Sequence, residues 1–230
     1  MSILENFNND DASRLELKDF LKTLSNIEIG GNRLYDGSGT HFMQNAEEFS
    51  KLLFILSKIN DIPNKKINKF LEIGWSTGIA HTLFYKILKP NESVAVDLVV
   101  PSGMSTNTFF ANLRFKNLTF IANDSKSTFT KDKLRVLGSF DFIFIDGGHD
   151  YETVKSDFNL ALEIAAEKAI IALHDIHADY PAEVSRLWKD IKDSESFETL
   201  EILDINTSIS YGIGLINCAG DGTLSSFNEL

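Results

Sequence analysis

The sequence predicts an α/β protein: a mostly parallel β-sheet with helices on both faces and an antiparallel pair at one edge. Three observations point to this class. Short apolar runs alternate with helix-length segments from Lys69 onward. The runs are apolar on consecutive positions, as strands covered on both faces require. The last two, FETLEILDI and ISYGIGLIN, are about three residues apart, which is a hairpin's spacing.

A chain of 230 residues is long enough for one α/β domain with an appended N-terminal segment. In residues 1–65, Leu15, Leu17, Phe20, Leu21, Leu24 and Ile27 form a helical stripe. The turn-rich loop IGGNRLYDGSGT follows, and Phe49, Leu52, Leu53, Leu56 and Ile59 then mark a helix over Ala46–Asn60. This part is expected to be a helical cap, or the padding that an open sheet face requires. The main domain, residues 66–218, offers seven strands, at 69–73, 93–98, 118–122, 140–145, 168–173, 197–205 and 209–217. Crossover helices are expected over Thr77–Lys89, Ser102–Phe115, Ser125–Leu137 and Tyr151–Glu167, with a flexible tail over 219–230.

Composition narrows the function classes. Against 22 Lys and Arg stand 33 Asp and Glu, a formal charge of -11 with no basic stripe, so no nucleic-acid partner is expected. The N-terminus lacks a basic flank leading into an apolar stretch, and no uncharged apolar window spans a bilayer. No membrane association and a cytoplasmic location are the default expectations. Cys218, the single cysteine, is expected to be a reduced, buried thiol.

Ligands of open parallel sheets bind at the carboxyl ends of the strands. The first end, LEIGWSTG, is a turn made by Gly74, Trp75, Ser76 and Gly78, whose backbone N–H groups can approach an anion or polar ligand. Ser76 and Ile79 stand where a dinucleotide fingerprint has its second and third glycines, which argues against a nicotinamide-dependent oxidoreductase. Asp97 ends the second strand and can accept both hydroxyl hydrogens of a ribose, or cap the next helix. After the third strand come Asn123, Asp124 and Ser125, residues suited to starting a helix; Asp124 can also meet the edge of a base.

The fourth strand runs into FDFIFIDGGHD and the fifth into ALHDIH. Neighbouring strands would bring Asp146 close to Asp175, and two such carboxylates repel unless protonated or bridged by a cation. Oxygen donors favour Mg²⁺ or Mn²⁺, and a nitrogen ligand from His174 would shift the preference toward Mn²⁺. Asp146 is expected to serve the cofactor and the chemistry as well as the cation. As structural alternatives, Asp146 can cap the following helix and His149 can sit at the surface. His81 is expected to pack and His177 to lie in a loop.

The motifs LEIGWSTG, VAVD, NDS, FIDGGHDYETVKSDF and IIALHDI, with GIGLI near the end, resemble the class I S-adenosylmethionine-dependent methyltransferases over about residues 42–217. Among these, the sequence is most similar to the macrocin O-methyltransferase and cephalosporin hydroxylase/rhamnosyl O-methyltransferase group. The resemblance implies a Rossmann-like class I fold. It also implies that Glu72 and Gly74 serve the cofactor's amino acid moiety, Asp97 its ribose and Asp124 its adenine. Asp146 and Asp175 match metal-binding acids, and His149 matches a general base. His174 is a departure, because metal-dependent relatives commonly have Glu before the second Asp; Trp75 is bulkier than the usual residue. The implied acceptor is a hydroxyl of a small molecule such as a sugar or secondary metabolite, and the implied assembly is a homodimer or higher homo-oligomer. A divalent ion would lower the hydroxyl's pKa, His149 would take the proton, and the oxygen would attack the sulfonium methyl in line. A metal-independent O- or N-methyltransferase and a non-catalytic binding protein on the same sheet are the competing readings.

Overall fold

The computed structural model describes residues 2–24, 42, 44–76, 78–98, 115, 117–177, 183–206 and 210–229. Two short helices, α1 (Ser2–Glu5) and α2 (Asp11–Leu24), precede α3 (Ala46–Asn60). The alternating part runs β1 (Lys69–Ile73), α4 (Ile79–Leu88), β2 (Glu92–Asp97), β3 (Leu118–Ala122), α5 (Thr128–Leu137), β4 (Phe140–Ile145), α6 (Tyr151–Ile164) and β5 (Ala165–His174). It closes with α7 (Glu183–Asp193), β6 (Glu198–Ile202) and β7 (Ile213–Asn217). The expected helix over 102–115 and the loop over 29–44 lie almost wholly outside the described residues.

The seven strands form one sheet in the order β3-β2-β1-β4-β5-β7-β6. All neighbours are parallel except β5–β7 and β6–β7, so the antiparallel element is an edge pair with β7 inside and β6 outermost. Adjacent strand residues point to opposite faces, and both faces are covered. Phe70, Phe142, Phe144, Ile170 and Leu215 join buried residues of α2, α3 and α4 on one side. Leu71, Ile73, Ile143, Ile145 and Ile171 join α5, α6 and α7 on the other. On the first side the ring of Phe84 meets those of Phe49, Phe142 and Phe144 at 5.0–5.2 Å. Each such buried ring contributes roughly 1.5–3 kcal/mol of transfer free energy. The first-side cluster includes Leu17, Leu21, Phe49 and Leu53, so the N-terminal helices share the sheet's own core.

Three expectations need correction. The helix over 151–167 stops at Ile164, and β5 begins at once with Ala165, because no breaker separates the two elements and pairing with Phe140 claims the backbone. The hairpin connection is 203–212, longer than three residues. Its backbone turns inward to the buried carboxylate of Glu48, which accepts N–H bonds from Asp204 (3.0 Å) and Gly212 (3.1 Å) and the hydroxyl hydrogen of Ser210. The tail is docked rather than loose: Leu224 is buried, Glu198 accepts from the Ser225 N–H at 2.8 Å, and Lys65 pairs with Asp221 at 2.6 Å. Among the described residues, no helix is long and apolar enough to cross a membrane.

Candidate active site

The strand order reverses between β1 and β4, where crossovers leave in opposite directions and a crevice opens. A cleft of about 340 Å³ lies there, bordered by Gly74, Ser76, Asp97, Asp124, Ser125 and Asp146. Gly74 makes the approach possible: its φ is +99°, and a Cβ would stand 2.0 Å from the carbonyl oxygen of Asp146. Two backbone bonds lock the strand ends together, Asp146 N–H to Ile73 O at 2.8 Å and Gly74 N–H to Val96 O at 2.9 Å. Asp97 closes the turn, its Oδ2 accepting the N–H groups of Trp75 and Ser76, both at 2.9 Å. The expected ribose acid therefore also anchors the glycine turn.

Glu72, Trp75 and Gly78 lie behind this turn and do not border the cleft. The Trp75 ring is buried over Gly78, where a Cβ would come within 2.4 Å of it, and it packs on His81 at 4.7 Å. His81 is fully buried, with Nδ1 2.9 Å from Glu72 and Nε2 3.0 Å from the Ser93 hydroxyl. Burial, followed by the charges of Asp146 and Asp97, raises the Glu72 carboxyl well above its ordinary value. Burial lowers His81 to about 3. Both shifts favour the neutral forms of the pair. Glu72 Oε1 stays buried without a partner.

Helix capping is taken over by other residues, which leaves the candidate acids to the cleft. Ser127, not Asp124 or Ser125, caps α5, accepting from Thr130 N–H at 3.2 Å. Asp124 braces its own turn by accepting the Lys126 N–H at 2.8 Å. Asp150 caps α6 through the Thr153 N–H at 3.0 Å, so Asp146 is not the cap of that helix.

At the β4–β5 end the acids meet two histidines. Asp146 Oδ1 lies 3.0 Å from His174 Nδ1, and Asp175 Oδ1 lies 3.3 Å from the same nitrogen. Asp175 Oδ2 lies 2.8 Å from His149 Nε2. Gln44, 102 residues away in sequence, donates from Nε2 to Asp146 Oδ2 at 2.7 Å. The hydrogen bond and charge of Asp175 raise His149 above its ordinary value despite partial burial. Burial opposes ionisation of His174, but the flanking carboxylates raise it well above its ordinary value. Asp175 is held below the ordinary carboxylate value, because the two imidazoles outweigh its burial.

One donor atom each from Asp146, His149 and Asp175 fall within 4.8 Å of one another. Two carboxylate oxygens and an imidazole nitrogen suit a divalent ion such as Mg²⁺ or Mn²⁺. His174, expected among the ligands, instead lies behind the carboxylates as their shared hydrogen-bond partner, its Nε2 buried without a partner. Gln44, Glu48 and Tyr211, whose ring lies 5.8 Å from that of His174, carry no signal in the sequence, because only the fold brings them to this end of the sheet.

Residues 71–176 match a family model described as a methyltransferase domain. A search of curated protein sequences finds no match. Solved structures with this fold include the O-methyltransferase TomG from Streptomyces achromogenes, involved in tomaymycin synthesis, in complex with S-adenosylmethionine. It is 18% identical with a TM-score of 0.54, over 81% of this chain and 89% of that one. An rRNA methylase from Streptococcus thermophilus has a TM-score of 0.57 at 10% identity, over 74% and 95%. The MycE methyltransferase of the mycinamycin biosynthetic pathway, in complex with Mg and S-adenosylhomocysteine, has a TM-score of 0.50 at 15% identity, over 71% and 48%. At such identities the likeness establishes the fold alone. Taken with the strand order, it identifies the fold as that of the class I methyltransferases, with residues 71–176 matching a methyltransferase domain.

Proposed function

We propose that the chain transfers the methyl group of S-adenosylmethionine to a hydroxyl of a small molecule, with Asp146, His149 and Asp175 at the reacting end of the cleft. One observation carries this reading: Asp146 belongs both to the cleft wall and to the three-donor group. A cofactor in that cleft is thereby adjacent to groups that can hold a cation or move a proton. When bound, the cofactor supplies an electrophilic sulfonium methyl, and a divalent ion supplies charge that lowers the pKa of a nearby hydroxyl.

The chain's own residues do the rest. Asp97 accepts ribose hydroxyl hydrogens while keeping the turn amides in place, and the turn over 124–126 meets the base. Asp146, His149 and Asp175 would hold the cation. Without one, Asp175 accepts the Nε2–H of His149, which fixes the ring's tautomer and presents Nδ1 to an acceptor proton. The fold positions these groups and excludes water, which is the protein's share of an in-line transfer. The family resemblance extends the proposal to a sugar or secondary-metabolite hydroxyl, and to a homo-oligomer. The acidic balance of the chain disfavours a polyanionic acceptor.

A specific contact favours the metal-independent reading as an alternative. His174 Nδ1 already bridges Asp146 and Asp175, supplying the positive partner that a cation would otherwise be. The experiment that separates the two measures transfer of a labelled methyl group to a panel of sugars and other hydroxylated small molecules, with Mg²⁺ or Mn²⁺ and with chelator. Transfer lost to chelator and restored by Mn²⁺ supports the cation. Transfer indifferent to both assigns the chemistry to the histidines. Failure to bind S-adenosylhomocysteine at all would overturn the proposal.

A further inference from the structure

The motif running on from Asp146 carries near its end a further acid, Asp157, to which the site chemistry gives no part. Asp157 lies one helical turn beyond Thr153 on α6 and has no exposed surface. A buried carboxyl is usually held by two or more donors, because desolvating it otherwise costs stability. Here neither oxygen has a partner at hydrogen-bonding geometry. The two ammonium groups whose charge reaches it are engaged elsewhere: Lys126 Nζ donates to Thr153 Oγ1 at 2.8 Å, and Lys131 Nζ donates to Ser156 Oγ at 3.1 Å.

The surroundings of this carboxyl are the base end of the cofactor cleft. Asp124, Ser125, Lys126 and Thr153 all border the cleft, and the hydroxyl of Ser125, itself nine-tenths buried, is close enough to Asp157 to favour its ionised form without reaching full hydrogen-bonding geometry. Three further contacts of that turn are local. Asn123 accepts the Asp124 N–H at 2.8 Å, Asp124 accepts the Lys126 N–H at 2.8 Å, and Ser127 N–H bonds to Asp124 O at 3.1 Å. The hydroxyl of Ser125 is therefore the handle by which the helix behind the cleft can grip its wall. A buried acid kept without adequate partners is a stability cost, and such costs persist where function requires them.

We propose that Asp157 is a positioning residue of the cofactor cleft, which draws in the Ser125 hydroxyl and thereby sets the 124–126 turn against the base of the bound cofactor. The proposal rests on the reading that this cleft takes S-adenosylmethionine. Burial, reinforced by Asp124 and opposed by Ser125, Lys126 and Lys131, raises the Asp157 carboxyl from 3.8 to about 6. A raised acid favours the folded state below its unfolded value and loses that advantage as pH rises through its folded value. Replacing Asp157 by a neutral isostere should therefore stabilise the chain near pH 8 while weakening cofactor binding. A purely structural acid could not give opposite signs.

The test measures S-adenosylhomocysteine binding by calorimetry and thermal unfolding by fluorescence, for wild type, Asp157→Asn, Ser125→Ala and the double variant. The expected result is a higher Tm for Asp157→Asn at pH 8, with the gain shrinking toward pH 4, and affinity about tenfold weaker in either single variant. The double variant should lose no more than the larger single loss, since the two act as one unit. Wild-type affinity retained in Asp157→Asn, or losses that multiply in the double variant, would overturn the proposal. A wild-type chain that does not bind the probe would instead overturn the reading of the cleft, and the proposal with it.

Discussion

Removing the Asp97 carboxylate should be felt twice, because it is expected to hold the ribose and does hold the N–H groups of Trp75 and Ser76. Asp97→Ala is predicted to weaken S-adenosylhomocysteine binding by about 1–3 kcal/mol, read by calorimetry. Gly74→Ala tests the close approach of β1 and β4. A methyl group 2.0 Å from the Asp146 carbonyl, at φ +99°, should cost at least about 2 kcal/mol in denaturant unfolding. His149 is predicted to titrate above the ordinary histidine value of 6.5 in the absence of metal, followed by NMR, and to move down in Asp175→Asn as its hydrogen-bond partner loses charge. The placement of these acids was legible in the sequence, because Asp97, Asp124, Asp146 and Asp175 all stand at or within two residues of the ends of apolar runs, where a parallel sheet places its ligands. Gln44 was not, since a lone glutamine ahead of a helix carries no chemistry until the fold sets it on Asp146.

At the scale of elements, α3 and the 203–212 connection depend on one buried acid. Glu48 faces three donors, Asp204 N–H, Ser210 O–H and Gly212 N–H, the last of them buried and the other two part-buried, and all three lose their acceptor if the carboxylate is removed. Glu48→Ala is therefore predicted to destabilise the chain by about 3 kcal/mol or more, checked by denaturant unfolding. Amide exchange should quicken at Asp204 and Gly212 before it does in β5. This contact also explains why the hairpin was misjudged. Apolar residues alternate through Leu203, Ile205 and Tyr211, and local pattern cannot reveal that a helix more than 150 residues earlier claims the intervening amides. Four of the five parallel strands were legible because burial on both faces writes itself into consecutive apolar positions, while β3, mostly part-buried at the sheet edge, showed only as a short apolar run. The end of α6 was not, since Ala165 and Ala166 suit either a helix or a strand.

For the molecule as a whole, the titrating groups of the core point in one direction above about pH 6.5, since His81, lowered to about 3 by burial, opposes the others only below that value. Asp157 is raised from 3.8 to about 6, so its advantage to the folded state fades between about pH 4 and 6. His149 and His174 are raised above 6.5, and their contribution is full below that value and lost as pH climbs through their folded values. Asp175 is depressed, so its contribution is lost only as pH falls below 3.8. A net charge of -11 adds repulsion as pH rises. Metal-free protein is accordingly predicted to unfold at its highest temperature in mildly acidic buffer, and about 4 °C or more lower at pH 8.5, by scanning calorimetry. The account as a whole depends on the crevice between β1 and β4 taking the cofactor beside the Asp146, His149 and Asp175 group. The most direct measurement is a crystal structure of the chain soaked with S-adenosylhomocysteine and Mn²⁺, with anomalous data. The account predicts the ribose on Asp97, the base against residues 124–126 and the sulfur directed toward Asp146, with any anomalous peak among the three donors. A ligand bound outside this crevice, or one whose sulfur points away from Asp146, would contradict it.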